Sequence, residues 1–379
     1  MHYDHSECPG AHVLKQPVRI YDTFLFDGEL DLLEHRLRQN FDATDVFVLI
    51  EAAETYRGKP KPLVFAENRD RFAWASDKIR AIRLNSLGAP SSTPRARAAV
   101  QRNAMLMALQ DATEQDIILL LDTDEIPSLS VLAELRTFGL TKPHRLEMTR
   151  HYQRLNLVAP ASTCCIDPNQ PFAFAAGHAR PGEWEQDRMW SGRSSVAVPF
   201  SCLASEARPF QWRFGGNISD VIPKSGRHLT AVDPSAQLSR KMGRVFHAEW
   251  ATERGTYPAH LARCEKHAVH HRGWWYAEPI PGDLPADLAS LAAVCEAALR
   301  TEALPPMWRR RCVRTWAWLR QSKWLKDSTV KRVDDHFEAL LPWFAAILLC
   351  SDGARFIAAA MLRFSSKRAA ARQPELHSH

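Results

Sequence analysis

The sequence predicts an α/β fold built on a mostly parallel sheet, followed by a helical C-terminal extension, and three observations carry that prediction. The apolar runs VFVLI and IILLL are continuous rather than alternating, as in strands covered on both faces. Between such runs lie stretches with apolar residues at helical spacing. Strand and helix patterns then take turns from Val18 to about Arg136, the order that places helices on both sides of a parallel sheet.

The elements follow in order. VRIYDTF, from Val18, reads as the first strand. DGELDLLEHRLRQNF has apolar residues at 30, 32, 33, 37 and 41, a helical face. DVFVLIEA is a buried strand and KIRAIRLN another. TPRARAAVQRNAMLMALQDA reads as one helix, with Thr93 as its cap and Pro94 at its first position. DIILLL is a further strand. From about 145 to 275 the pattern loosens into short strands, loops and aromatic clusters such as WEQDRMW, FQWRFGG and RGWWY, which suits the shaping of a pocket. EPIPGDLPAD (278–287) reads as a linker by its prolines, and residues 288–379 as helical. The expected organisation is thus a tail (1–17), a main domain (18–277, divided near 140 into a nucleotide-binding and an acceptor half), the linker and the helical region.

A chain of 379 residues with 45% hydrophobic and 24% charged content suits one large or two modest domains with a real core. The net charge of +6 favours anionic partners such as nucleotide phosphates and does not by itself imply nucleic acid. Eight scattered cysteines without a CxxC pair form no disulfide framework, so a reducing, cytoplasmic setting is expected. MHYDHSECPGAHVLKQP has no apolar core for a leader or an anchor, and Leu340 to Cys350 is about half a membrane span. A soluble or peripheral protein is expected, and with no anchor, a bacterial one.

ILLLDTDEIPS (118–128) runs a buried strand into three acids. Ligands bind beyond the carboxyl ends of parallel strands, and in extended chain Asp122 and Asp124 face the same side. Hard oxygen ligands with open positions suit Mg²⁺ or Mn²⁺ carrying substrate phosphates. The competing explanation is a solvated turn in which Asp122 or Asp124 caps a helix starting near Pro127.

Several segments together resemble glycosyltransferase family 17, the β-1,4-N-acetylglucosaminyltransferase-like enzymes. They are IYDTFLFDGELDLLEHRL, DVFVLIEAAETYRGKPKPLVFAENRDRF, AVQRNAMLMAL and DIILLLDTDEIPS, in order, over residues 18–140. HYQRLNL, Trp190 with Gly192 and Arg193, KMGRVFHAEW and RGWWY resemble later segments of that family. SGRHLT stands where the family reads Gly-Trp-His, so Arg227 replaces its tryptophan. Residues 281–379 resemble nothing named. The resemblance implies a GT-A-like nucleotide-binding sandwich, an Asp-x-Asp motif, Mn²⁺ or Mg²⁺, a UDP-sugar donor with GlcNAc favoured, a glycan acceptor and inversion at the anomeric carbon.

Candidate roles follow, each with its plainer alternative. Asp122, Asp124 and His247 are expected at the metal. Glu51 is placed to hold ribose or uracil, or is a solvated strand end. Lys59 and Lys61 suit phosphates, or form a solubilising loop. Arg102 reaches toward the diphosphate, or makes a surface ion pair. Trp190 and Arg193 join the donor site. Glu125, His228 and Glu249 are the catalytic candidates, with Glu183, Glu185 and Asp187 competing for the base; His228 and His247 are otherwise structural histidines. His260, Cys264, His267 and His271 lie on one helix face and suggest zinc only weakly, since closing a tetrahedron needs a second element.

The stretch 308–326 holds seven basic residues, four tryptophans and no acid, which fits an anionic membrane surface, including the inner membrane, or packing against the rest of the chain. The rival to an enzyme is a non-catalytic GT-A-like binding protein docked to a membrane or a transferase complex. A nucleotidyltransferase would need a Gly- and Lys-rich phosphate loop after the first strand, which is missing.

Overall fold

The computed structural model describes residues 18–159, 195–206, 208–214, 218–230, 232, 258–269, 277–280, 283–294, 302–320 and 327–349. The chain divides into two compact units, Met1–Ala251 with Ala277–Thr301, and Thr252–Tyr276 with Glu302–His379.

In the first unit the parallel sheet forms as the apolar runs require. Strands β1 (Ile20–Phe26), β2 (Val46–Ala52), β3 (Ile79–Leu84) and β4 (Ile117–Asp122) lie in the order β3-β2-β1-β4, all parallel. The order reverses beside β1, so a crevice opens at the carboxyl ends of β1 and β4. Successive side chains of β4 enter opposite layers. Ile117, Leu119 and Leu121 pack with Leu33 and Leu37 of α1 (Leu30–Asn40) and Leu132 and Leu135 of α4 (Leu129–Phe138), whereas Ile118 and Leu120 pack with Met105, Leu203 and Trp212. That two-sided burial is why these runs are continuous rather than alternating.

Local signals place the helices between the strands. The short α2 (Val64–Glu67) follows β2. Thr93 accepts from the Ala96 amide and Pro94 opens α3, which ends at Asn103; a tighter 3₁₀ turn over Ala104–Ala108 replaces the rest of the single long helix expected there. The expected cap near Pro127 is corrected as well. Glu125–Pro127 forms strand β5, and Ser128, not Asp122 or Asp124, caps α4 by accepting from the Val131 amide. The acids therefore have no capping duty, and the solvated-cap explanation falls.

Beyond β5 the pairing becomes mixed. Strands β6 (His144–Tyr152), β7 (Arg154–Val158) and β8 (Val196–Pro199) extend the sheet, with β8 antiparallel to β4. Helices α5 (Phe200–Glu206) and α6 (Pro209–Phe214) follow, then β9 (Val221–Thr230), parallel to β6 and antiparallel to β5. In the second unit, α7 (Pro258–Lys266) follows. Back in the first unit, Glu278–Pro279, part of the expected linker, forms β10 against β7, and α8 (Ala286–Val294) places Leu288 and Leu291 against Ile126, Leu155 and Leu229.

The second unit gathers α7, α9 (Met307–Leu319), α10 (Asp327–Asp335) and α11 (Phe337–Leu349) around Cys264, Val313, Trp316, Val330 and Phe337. Here the membrane expectation is cut back. Buried Asp334 accepts from Trp316 Nε1 at 2.8 Å and pairs with Arg320 at 2.6 Å, and buried Arg310 donates to the His267 carbonyl at 2.9 Å. These three residues are core, while Met307, Trp308 and Arg311 remain exposed. Among the described residues no helix is long and apolar enough to cross a membrane. The zinc stripe fares no better. Burial pushes the Cys264 thiol up to about 12, so it stays protonated, and His271 lies outside the described residues. Cys264 and Cys312 are free and buried, but Cys202 is disulfide-bonded, which departs from the expectation of reduced thiols throughout.

Candidate active site

The acid turn sits at the crevice mouth and is held from below by α1. The buried Arg36 guanidinium pairs with buried Asp22 on β1, and its Nη1 donates to the carbonyls of Asp122 (3.0 Å), Thr123 (3.2 Å) and Glu125 (2.7 Å). A planar guanidinium can collect several acceptors at once, which an ammonium cannot do in this geometry. Thr123 ties the turn to β1 by donating its hydroxyl to the Leu25 carbonyl at 2.5 Å.

Strand β9 closes over the turn. Leu229 N donates to the Asp124 carbonyl at 2.7 Å, and His228 is paired with Glu125. This approach requires glycine at 226. A Cβ there would lie 2.1 Å from the Ile126 carbonyl oxygen, and its φ is +152°. His228 is thereby set beside the acids, with Nε2 3.7 Å from Asp124 Oδ1 and Nδ1 3.9 Å from Glu125 Oε1. Burial lowers the imidazole pKa against the opposing pull of Asp124 and Glu125, so it is neutral at pH 7. Its Nδ1 is buried without a hydrogen-bond partner.

Asp122 is differently placed. Its carboxylate is 40% exposed, yet both oxygens are held from behind by buried cations, Arg102 Nη2 at 2.5 Å and Arg213 Nη2 at 2.6 Å. Burial opposes ionisation here, but Arg213 and Arg102 prevail and keep the carboxyl below its usual pKa. Arg213 also pairs with Glu125 at 2.8 Å and donates to the Leu120 carbonyl at 2.8 Å.

Several expectations change here. Arg102 is neither a surface ion pair nor turned to a diphosphate; it is buried on Asp122 and the Leu121 carbonyl. Glu125 is fully buried, accepts from the Asp122 amide and pairs with Arg213, so it is a fixed counter-ion rather than a base. Glu51 is neither solvated nor open to a ribose. It is fully buried, accepting from the amides of Phe65 (2.9 Å) and Ala66 (3.4 Å) at the start of α2. Lys61 pairs with Asp27 at 2.7 Å beyond β1, and Lys59 is exposed on the neighbouring turn. Arg227, in the family's tryptophan position, makes a bidentate pair with Asp287 of α8 and meets His151 Nε2 at 3.2 Å. Trp190, Arg193, His247, Glu249, Glu183, Glu185 and Asp187 lie outside the described residues.

Three residues of this site were not anticipated. Arg36 was visible only as one charge on an amphipathic helix. Arg213 lies in the aromatic cluster FQWRFGG, which folds into α6. Tyr56, whose phenol is pushed up by burial, feels Arg102, Asp122, Asp27 and Arg213.

Among the described residues no group of three or more His, Cys, Asp and Glu is gathered to hold a metal unaided. Mg²⁺ and Mn²⁺ need no such cage, since one or two carboxylates with substrate phosphates and water suffice. The orphaned His228 nitrogen and the nearby Asp124 carboxylate suit such an ion. Their 3.7 Å separation is too long for a hydrogen bond, and slightly wider than the roughly 3 Å between neighbouring ligands of an octahedral ion.

A parallel half-sheet with an acid turn at its switch point and a histidine across from it is the nucleotide-binding half of a GT-A-like sandwich. The model of glycosyltransferase family 17 matches residues 4–156, so over this stretch the chain resembles that family, and the match supports a glycosyltransferase. No curated protein matches the chain. A mannosyltransferase, PcManGT from Pyrobaculum calidifontis, solved in complex with GDP-Man and Mn²⁺, is 12% identical and covers 98% of this chain and 92% of its own, with a TM-score of 0.32. At that score the likeness carries no argument.

Proposed function

We propose that the protein is a metal-dependent inverting glycosyltransferase that moves a sugar, GlcNAc favoured, from a UDP-sugar to a glycan or a cell-surface polysaccharide precursor. The observation that carries this is the facing of Asp124 and His228 at 3.7 Å, beside the fixed carboxylate of Asp122, at the carboxyl ends of β1 and β4. Asp122, Asp124 and His228 are the residues placed to hold Mn²⁺ or Mg²⁺, and the ion would neutralise the leaving diphosphate. His228 takes the place expected for His247. Arg36 and Thr123 keep the turn in register with β1, and Lys61 with Asp27 forms the rim where phosphates or ribose would approach.

Inversion needs one displacement and a base for the acceptor hydroxyl. Glu125 is too buried for that part, and Glu249 is retained for it. The rival reading, a binding protein, drew on Arg227; its side chain engages Asp287 and His151 and does not fill the space beside His228.

The test is calorimetric titration of UDP with Mn²⁺ and with EDTA, followed by a panel of nucleotide sugars with acceptor glycans. Tighter UDP binding with Mn²⁺ and turnover of one donor are expected. Equal affinity in both buffers would remove the metal from the scheme, and metal-dependent binding without turnover of any donor would favour the binding protein.

A membrane-peripheral location is proposed only for the exposed face of α9. Met307 and Trp308 are each 43% exposed there, with Arg311 on the same side.

A further inference from the structure

Asp122 presents a contradiction if it is a metal ligand of the ordinary kind. Both of its oxygens already receive guanidinium hydrogen bonds, from Arg102 at 2.5 Å and Arg213 at 2.6 Å. Those cations are 1–2% exposed and cannot turn away into water. Charge-assisted bonds of this length are among the strong ones, and breaking a buried pair leaves an uncompensated charge. The local charges can be balanced by sign. Arg102 and Arg213 offset Asp122 and Glu125, and Arg36 offsets Asp22. Asp124 is the carboxylate of this turn to which no ion pair with an arginine is assigned, and it faces His228.

We propose that Arg102 and Arg213 are positioning residues that hold Asp122 as an already neutralised, fixed carboxylate, leaving Asp124 and His228 as the protein's own ligands to a divalent ion. The proposal rests on the nucleotide-sugar reading above and divides its labour. Asp124 and His228 attract the ion, whereas Asp122 offers the outer edges of its oxygens to the hydroxyls or bound water of a donor. Arg213 contributes from α6, far along the chain from the family match, and no local sequence pattern ties it to the acid turn.

Mn²⁺ binding without nucleotide, followed by electron paramagnetic resonance, separates this role from a merely structural one. In Arg213→Gln the Asp122 charge is partly released, so Mn²⁺ affinity should rise at least threefold. In Asp122→Asn two cations face one buried acid, so affinity should fall at least threefold. The double variant Asp122→Asn with Arg213→Gln restores the balance and should bind within threefold of the wild type. If Asp122 is itself a ligand, the double variant stays as weak as Asp122→Asn, and the proposal is overturned. Should Arg213→Gln fail to fold, Arg102→Gln with and without Asp122→Asn poses the same question from α3. Asp124→Asn separates the two levels of the claim. Lost Mn²⁺ binding there with an unrescued double variant overturns the clamp alone, and unchanged binding overturns the metal reading itself.

Discussion

Acid should loosen the strand that carries His228, and the size of the effect follows from His151. This residue is fully buried on β6. Its Nδ1 meets the Leu155 carbonyl at 2.6 Å and its Nε2 meets Arg227 at 3.2 Å. With Arg227 donating to Nε2, the proton sits on Nδ1 and the ring is neutral. Burial, helped by Arg227, lowers the pKa from 6.5 to about 4. The folded pKa is depressed, so the unfolded chain binds more protons between these values. Stability from this group is complete above pH 6.5 and is lost as pH falls through 4. A shift of that size corresponds to about 3 kcal/mol. Urea midpoints at pH 7.5, 5.5 and 4.5 would measure it, with His151→Asn as the reference, since its amide can donate to one partner and accept from the other. Buried His35 and His228, whose pKa values are also lowered, add to the slope in both proteins and cancel in the difference. The wild type should lose most of the 3 kcal/mol relative to the variant. Parallel pH profiles would show that His151 is not held neutral by this network.

Other perturbations have equally definite outcomes. Asp124→Asn should erase the Mn²⁺ dependence of UDP binding while leaving the melting temperature within a few degrees; a retained dependence would remove Asp124 from the site. Glu51→Gln should lower stability by about 1–3 kcal/mol through lost charged hydrogen bonds to α2, with UDP affinity unmoved; a selective loss of UDP binding would restore Glu51 to the nucleotide. Gly226→Ala should cost about 3 kcal/mol from left-handed strain and overpacking together, and should weaken Mn²⁺ binding by displacing His228; a stable variant with wild-type binding contradicts the close approach. Replacing Trp308, Arg309, Arg311 and Arg314 by Ser should abolish salt-sensitive binding to anionic liposomes, whereas a wild type that ignores liposomes at low salt ends the peripheral-membrane idea.

The nucleotide-binding half was legible because its signals are local. Continuous apolar runs gave β2 and β4, and Thr93-Pro94 marked a helix start that the structure keeps. The acid turn was legible as a cluster, but the fates of its members were not. Asp122, Asp124 and Glu125 look alike in sequence. They differ because Arg213, 91 residues from Asp122, holds one and buries another. No periodicity reports a contact at that separation. Glu51 was misread for a related reason, since the amides it caps belong to a short helix that begins 13 residues after it. The basic tail failed through averaging. Seven cations in one stretch suggested a surface, yet Arg310 and Arg320 are core residues because Asp334 and two backbone carbonyls stand beside them.

The grip of Arg36 on three successive carbonyls has a kinetic meaning. A loop that must order itself around an ion loses backbone entropy at the moment of capture, of the order of 1–2 kcal/mol for each residue fixed. Here folding has already fixed the turn between α1 and β9, so an arriving cation meets a finished surface. Ion uptake should then be limited by how fast the cation sheds water. Mn²⁺, which exchanges water faster than Mg²⁺, would load sooner at equal concentration, whichever of the two is held more tightly.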